Sequence, residues 1–163
     1  MRRIALTLLL PLLAIGVLAG CGSSPASSAA SPAVTVSGSF GRAPGVKIPT
    51  HKAAGSLTVK TVIKGSGPAL GKTDAFIGNY AIYIWSGTSH RLAQSSFASH
   101  NPTLFAGQLL PGLEKALIGQ KMGSRVLAVI PPKDAFGKTG NPQAGIKGTD
   151  TLVFVVDILG AFS

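Results

Sequence analysis

From Leu57 onward, apolar and polar positions alternate with a period of two. Leu57-Thr58-Val59-Lys60-Thr61-Val62-Ile63 reads as a half-buried strand, and Lys64-Gly65-Ser66-Gly67-Pro68 as the turn that ends it. A longer alternation sets Phe76, Gly78, Tyr80, Ile82 and Ile84 on one face against Ile77, Asn79, Ala81, Tyr83 and Trp85 on the other. A strand apolar on both sides belongs in the middle of a sheet or beneath a cover on its outer face. Ser86 to Asn101 is polar and uneven and reads as a long irregular connection, a kind of segment that often carries function. Arg125 to Ile130 alternates again and stops at Pro131-Pro132. Lys133 to Gly148, rich in Gly, Pro and Lys, is a second long loop. Thr151 to Leu159 then places Leu152, Phe154, Val156 and Ile158 on one face of a closing strand.

One stretch changes period. After Pro111-Gly112, Leu113, Ala116 and Leu117 share a helical face, Glu114 and Lys115 point outward, and Gly119 supplies a stop. Two turns of helix do not hold together alone in water, so this helix must be clamped against a sheet. No internal repeat is visible. The pattern therefore predicts an α+β half-barrel of four or five strands with one short helix packed across them.

The first 45 residues follow another logic. Arg2 and Arg3 precede an apolar run from Ile4 to Val17, broken only by Thr7, Pro11 and Gly16. The run is short of the ~20 residues that a membrane span needs, and it reads as a secretory leader. Leu18-Ala19-Gly20-Cys21 closes it and resembles a bacterial lipobox, in which the Cys thiol receives a diacylglyceryl group. Cys21 is the only cysteine, so no intramolecular disulfide is possible and the thiol is free for lipid. Gly22 to about Gly45 is mostly Ser, Ala, Gly and Pro and reads as a flexible tether. Within it Val34-Thr35-Val36 could pair as a stray edge strand, but local extended coil is the expectation. The expected organisation is a leader at 1–20, a lipidated Cys and tether at 21–45, and a folded domain at 46–163.

Composition narrows the function classes. Of 163 residues, 15 are Lys or Arg and 5 are Asp or Glu, a formal charge of +10, which by itself raises the nucleic-acid hypothesis. The basic residues are scattered, however, and form no groove-sized stripe. Behind a secretory leader, they suit adhesion to an anionic envelope. His51, His90 and His100 are too dispersed for a metal site and read as surface residues. No metal, cofactor or nucleic acid is expected.

Five segments carry a family resemblance. Val62-Ile63-Lys64-Gly65-Ser66-Gly67, Asn79-Tyr80, the run from Leu110 to Gly123 (LPGLEKALIGQKMG) and the run from Ile130 to Gly137 (IPPKDAFG) resemble the FKBP-type peptidyl-prolyl isomerases, and Thr151 to Leu159 resembles that family's last strand. The resemblance spans roughly Gly55 to Leu159 and is nearest to secreted actinobacterial members. It implies an antiparallel sheet of five to six strands wrapped around one short helix. It also implies rotation about the Xaa-Pro bond, chemistry that needs no nucleophile, metal or cofactor.

By that resemblance, Tyr80, Leu110, Phe136, Ile146 and Phe154 form the catalytic pocket, with the Leu110 N–H as donor to the substrate carbonyl. Leu92, Gln94, Phe105, Leu109, Leu113 and Asn141 complete the substrate-binding wall, and Asn141-Pro142 and Ile146 belong to a flap over the proline. Three positions depart from the family. Gln94 stands where an Asp is usual, Leu113 where a Trp floors the pocket, and Phe136 where a Tyr hydroxyl is usual. Phe105 is the candidate aromatic of a shortened segment, and Leu92 or Ala93 takes the place of a Phe. The departures imply reduced isomerase activity.

Three functions compete on these residues. The first is a lipid-anchored isomerase, a monomer, that assists proline-containing polypeptides folding outside the cytoplasm. The second is a proline-peptide binding module or chaperone of the same fold, with little or no catalysis. The third is a charge-driven protein of the cell wall or lipid surface.

Overall fold

The computed structural model describes residues 33–99 and 101–162, so the expected leader and Cys21 lie outside the described residues. Residues 75–86, apolar on both sides, run through the middle of the sheet as the long strand β4 (Ala75–Ser86). The other strands are β1 (Thr35–Ser37), β2 (Gly45–Lys47), β3 (Thr58–Ile63), β5 (Ser89–Ser95), β6 (Thr103–Phe105), β7 (Arg125–Ile130) and β8 (Thr151–Phe162), with helix α1 over Pro111–Leu117. Six strands form one sheet in the order β3-β7-β8-β4-β5, with β6 also pairing β4, and every pairing is antiparallel. β8 is buried from Thr151 to Ile158 because it lies between β4 and β7 and is covered on both faces.

The concave face carries one core. Phe76, Tyr80 and Ile84 of β4, Val126, Ala128 and Ile130 of β7, and Leu152, Phe154, Val156 and Ile158 of β8 meet Leu113, Ala116 and Leu117 of α1. Pro111 opens the helix at a position where its missing N–H costs nothing. Gly112 is needed for close approach, because a Cβ there would run into Ile130 Cγ2. Fully burying Leu113 and Leu117 contributes about 1.5–3 kcal/mol each, which is how so short a helix persists.

The convex face carries a second core of Trp85, Leu127, Val129, Val153 and Val155, and its lid corrects the expected tether. Val34 and Ile48 are buried in this core, and Val36 and Val46 pack against it. β1 pairs β2 through Thr35↔Lys47, Val36↔Val46 and Ser37↔Gly45. Thr35–Ser37 is therefore a paired strand and not extended coil, and the boundary at 45 falls inside a hairpin. The expectation of coil prevailed over a stray edge strand because three-residue strands bury too few residues to show a period.

Beneath the hairpin loop lies a charged pair with no solvent exposure of either side chain. Arg125 and Asp157 sit opposite one another in the β7–β8 ladder. Arg125 Nε donates to Asp157 Oδ1 at 2.6 Å and Nη2 to Oδ2 at 2.8 Å. Nη2 also donates to the Arg42 carbonyl and Nη1 to the Gly38 carbonyl, while the Gly41 N–H donates to Asp157 Oδ2. The guanidinium lies 5.5 Å from the centre of the Phe97 ring. Desolvating two ions is tolerable here because the remaining donors and acceptors are filled by the loop.

Ser86 to Asn101 is also corrected. Ser89–Ser95 is a strand, paired to β4 from Ala81↔Ser95 to Ser86↔Ser89, and Thr103–Phe105 adds a short one beyond it. β5 is an edge strand and is exposed over nearly its whole length, so no apolar alternation marks it.

Asp157→Ala strands a buried guanidinium and is expected to destabilise the fold by about 3–5 kcal/mol, read as a lower urea midpoint. Amide exchange at Val36 and Val46 should accelerate first. Hairpin amides as protected as in the unsubstituted chain would show that the pair does not hold the hairpin.

Candidate functional site

At the open end of the concave face the sheet and the loop after β7 leave a cleft of about 420 Å³. Ile82 of β4, Leu152 and Phe154 of β8, and Leu110 before α1 supply its apolar walls, with Phe136 and Ile146 from the loop and Ala93 and Gln94 from β5. Ile82, Gln94 and Phe154 face one another because Ile82 pairs Gln94 on one side and Phe154 on the other. A bulge between Ile82 and Tyr83 inserts Ala93 on β5 and turns both Ala93 and Gln94 towards the cleft.

Leu110 stands one residue before the helix, and its carbonyl accepts from the Leu113 and Glu114 N–H groups. Its own N–H has no acceptor among the described residues. The cleft thus combines hydrocarbon walls with an unspent backbone donor.

Residues 136–150 form the flap side. The Asn141 and Ile146 backbones exchange hydrogen bonds of 2.8 and 2.9 Å, Asn141 Oδ1 accepts from the Ala144 N–H, and Gly145 is left-handed at φ 65°. This closed loop fixes Ile146, which is buried although its neighbours are exposed. Arg91 of β5 reaches across and donates to the Gly145 carbonyl at 3.1 Å and, at a longer 3.4 Å, to that of Ala144. At the flap's base the chain passes so close to itself that a Cβ on Gly148 would run into the Lys138 carbonyl.

The structure brings six of the expected residues to the cleft: Gln94, Leu110, Phe136, Asn141, Ile146 and Phe154. Tyr80 and Leu113 lie deeper, in the core beneath it, at 7% and 3% exposure. Phe105 stacks on Phe76 at 4.5 Å and meets Tyr80 edge-on, and so buttresses Tyr80 from the side. Leu109 packs against the core from a separate hollow beside Lys72 and Glu114. Leu92 is not at the cleft. It pairs Tyr83, whose side chain serves the convex core, and is 52% exposed, because the bulge gives the cleft position to Ala93. The Tyr83 phenol itself is pushed above its usual value of 10.0 by burial.

Residues 74–159 match the family model described as FKBP-type peptidyl-prolyl cis-trans isomerase. The chain belongs to this family. It is 33% identical to FkpA of Escherichia coli K12 over 104 residues, which cover 63% of this chain and 37% of that one. It is 29% identical to the FK506-binding protein of Streptomyces anulatus over 122 residues, 71% of this chain and 94% of that one. The chain thus matches little more than a third of the length of the FkpA relatives. The crystal structure of E. coli FkpA superposes with a TM-score of 0.58 at 31% identity, covering 68% of this chain and 50% of that one. The N-terminal domain of FKBP42 from Arabidopsis thaliana gives a TM-score of 0.58 at 19% identity, over 72% of this chain and 96% of that one, and speaks for the fold alone.

This FKBP-type chain also lines its cleft with residues that the sequence reading did not single out, Ile82, Arg91, Ala144 and Leu152, and with Ala93, which it gave as the alternative to Leu92. Ile82 and Leu152 were visible in principle, since they share the alternating faces of Tyr80 and Phe154. Arg91 carried no signal, being one basic residue in an uneven polar segment. Among the described residues no group of three or more His, Cys, Asp or Glu is placed to hold a metal ion.

Gly148→Ala is expected to cost about 1–3 kcal/mol by forcing the flap's base apart. In heteronuclear NMR spectra its shifts should fall on residues 136–150 and leave the β7 and β8 amides in place; changes spread through β8 would count against a separable flap.

Proposed function

We propose that this chain is a peptidyl-prolyl cis-trans isomerase acting on proline-containing polypeptides outside the cytoplasm, tethered to the membrane by a lipid on Cys21. The observation that carries the reading is the unspent Leu110 N–H at the edge of a cleft walled by Ile82, Phe136, Ile146, Leu152 and Phe154. Rotation about the Xaa-Pro bond crosses a barrier of ~18–20 kcal/mol, and no bond is made or broken. At the top of that barrier the imide has lost its resonance and is less polar than when planar. A cleft that strips water from the imide therefore favours the twisted form. A backbone N–H held for the carbonyl in its rotated position adds binding that the planar form does not receive.

The departures at Gln94, Leu113 and Phe136 support reduced activity rather than none. Each missing polar contact is worth about 0.5–1.5 kcal/mol, so one such loss lowers the rate by up to about tenfold. The apolar walls, which supply the desolvation, remain. The same departures favour a second reading, a proline-peptide binding module or chaperone with little catalysis, because they remove polar helpers while leaving the apolar surface that holds a proline.

A protease-coupled proline-isomerisation assay on the purified chain separates the two. Catalysis above the spontaneous rate is expected, falling strongly in Phe154→Ala, and a rate equal to the spontaneous one overturns the enzyme reading. Gln94→Asp is expected to raise kcat/KM severalfold with a smaller change in affinity for a proline peptide. Labelled palmitate should be incorporated into the expressed chain and not into its Cys21→Ala variant, and no incorporation into the unsubstituted chain would sink the lipid anchor.

A further inference from the structure

A second hollow of about 250 Å³ adjoins the main cleft, and Arg91 lines both. Its position is one step further along the same two strands. Ile82 faces the cleft and Ile84 the hollow; on the partner side Leu152 and Phe154 face the cleft and Asp150 the hollow. Two residues of a strand advance ~6.6 Å, close to the ~7 Å that two residues of an extended peptide advance. A polypeptide with its proline in the main cleft therefore lays a residue about two positions away over this hollow.

Asp150 is the unusual group there. It is 2% exposed, and one oxygen is explained: Oδ2 accepts from the Lys147 N–H at 2.8 Å in a turn that the Asp150 N–H closes back onto the Lys147 carbonyl. Oδ1 is buried and has no hydrogen-bond partner among the described residues. The turn needs one carboxylate oxygen; it gives no reason for the second to go unpaired, and buried acceptors are ordinarily paired. His90, Arg91 and Lys147, which line the same hollow, are exposed.

We propose that this hollow is a specificity subsite that takes a neutral, hydrogen-bond-donating side chain, a carboxamide or hydroxyl, two positions from the substrate proline. The proposal rests on the main cleft being the proline site. Charge decides the class. A cationic side chain would gain Asp150 and be opposed by Arg91 and Lys147. An anionic one would gain those two and bring a second carboxylate against Asp150. A neutral donor satisfies Oδ1 and meets neither repulsion, and 250 Å³ accommodates the end of a Gln, Asn, Ser or Thr side chain.

The full chain is assayed with proline peptides carrying Ala, Gln, Lys or Glu two positions before or after the proline. Gln is expected to exceed Ala, Lys and Glu in kcat/KM on one side of the proline, by about tenfold over Ala. Asp150→Asn keeps an oxygen for the Lys147 N–H and turns an NH2 into the hollow, so the preference should shift from Gln to Glu. Equal use of Ala and Gln on both sides, with all peptides isomerised, overturns the subsite and leaves the proline reading intact. So does an unchanged order in a folded Asp150→Asn. The wild-type series decides by itself where that variant does not fold. If no peptide is isomerised or bound, the proline reading fails, and the subsite is then judged without it: N-acetylglutamine amide should shift the Lys147 and Asp150 amides in NMR spectra of the full chain, and no shift overturns it.

Discussion

A sheet whose central strands are apolar on both faces needs a cover on each, and that constraint organises this molecule. β4 and β8 put Tyr80, Phe154 and Val156 on one side and Trp85, Val153 and Val155 on the other, all removed from water. Helix α1 covers the concave side and the β1–β2 hairpin part of the convex side. Neither cover is self-sufficient, since the helix has two turns and each hairpin strand has three residues. Each is held by one close attachment: α1 by the approach that Gly112 permits against Ile130, and the hairpin loop by the Arg125–Asp157 pair that its carbonyls and Gly41 complete. The ion pair in turn depends on the loop, because without those partners a buried guanidinium would keep unfilled donors.

The cleft is a by-product of how far the concave cover reaches. α1 packs on the sheet through Leu113, Ala116 and Leu117, while Ile82, Leu152 and Phe154 line the open cleft. The residues that would otherwise be bare are overhung by Phe136 and Ile146 from the loop that links β7 to β8. That loop is closed on itself by the Asn141–Ile146 exchange and braced from β5 by Arg91. Ile146 is thereby presented to the cleft by an arch closed through its own hydrogen bonds.

The elements legible in the sequence are those whose side chains see two different solvents. β4, β7, β8 and α1 could be drawn from periodicity because each has positions sorted by burial. β5 could not, since His90, Arg91, Leu92, Ala93 and Gln94 are all exposed and the strand is defined by backbone pairing alone. β1 and β2 failed for a different reason: Val34, Val36, Val46 and Ile48 are too widely spaced in a Ser- and Gly-rich context for a period to appear. In the cleft, Leu110, Phe136, Ile146 and Phe154 were placed by the family's motif residues. Leu92 was misplaced because the bulge that substitutes Ala93 for it is a backbone event with no side-chain signature, and Arg91 was missed because its role is to bond two carbonyls far away in the chain.

The position of Leu113 sets it apart from the residues that line the cleft. It is 3% exposed and packed beneath the cleft, with Tyr80 in the same core and Phe105 set edge-on to Tyr80. Leu113 is therefore part of the packed core rather than a wall of the cleft. Above it, Ile82, Leu152 and Phe154 supply the hydrocarbon of the cleft's walls. Gln94 and Phe136 line the cleft itself, one with an amide and the other with an apolar ring. Under the proposed reading, a rotation favoured by loss of solvation draws on these walls without depending on any single polar atom.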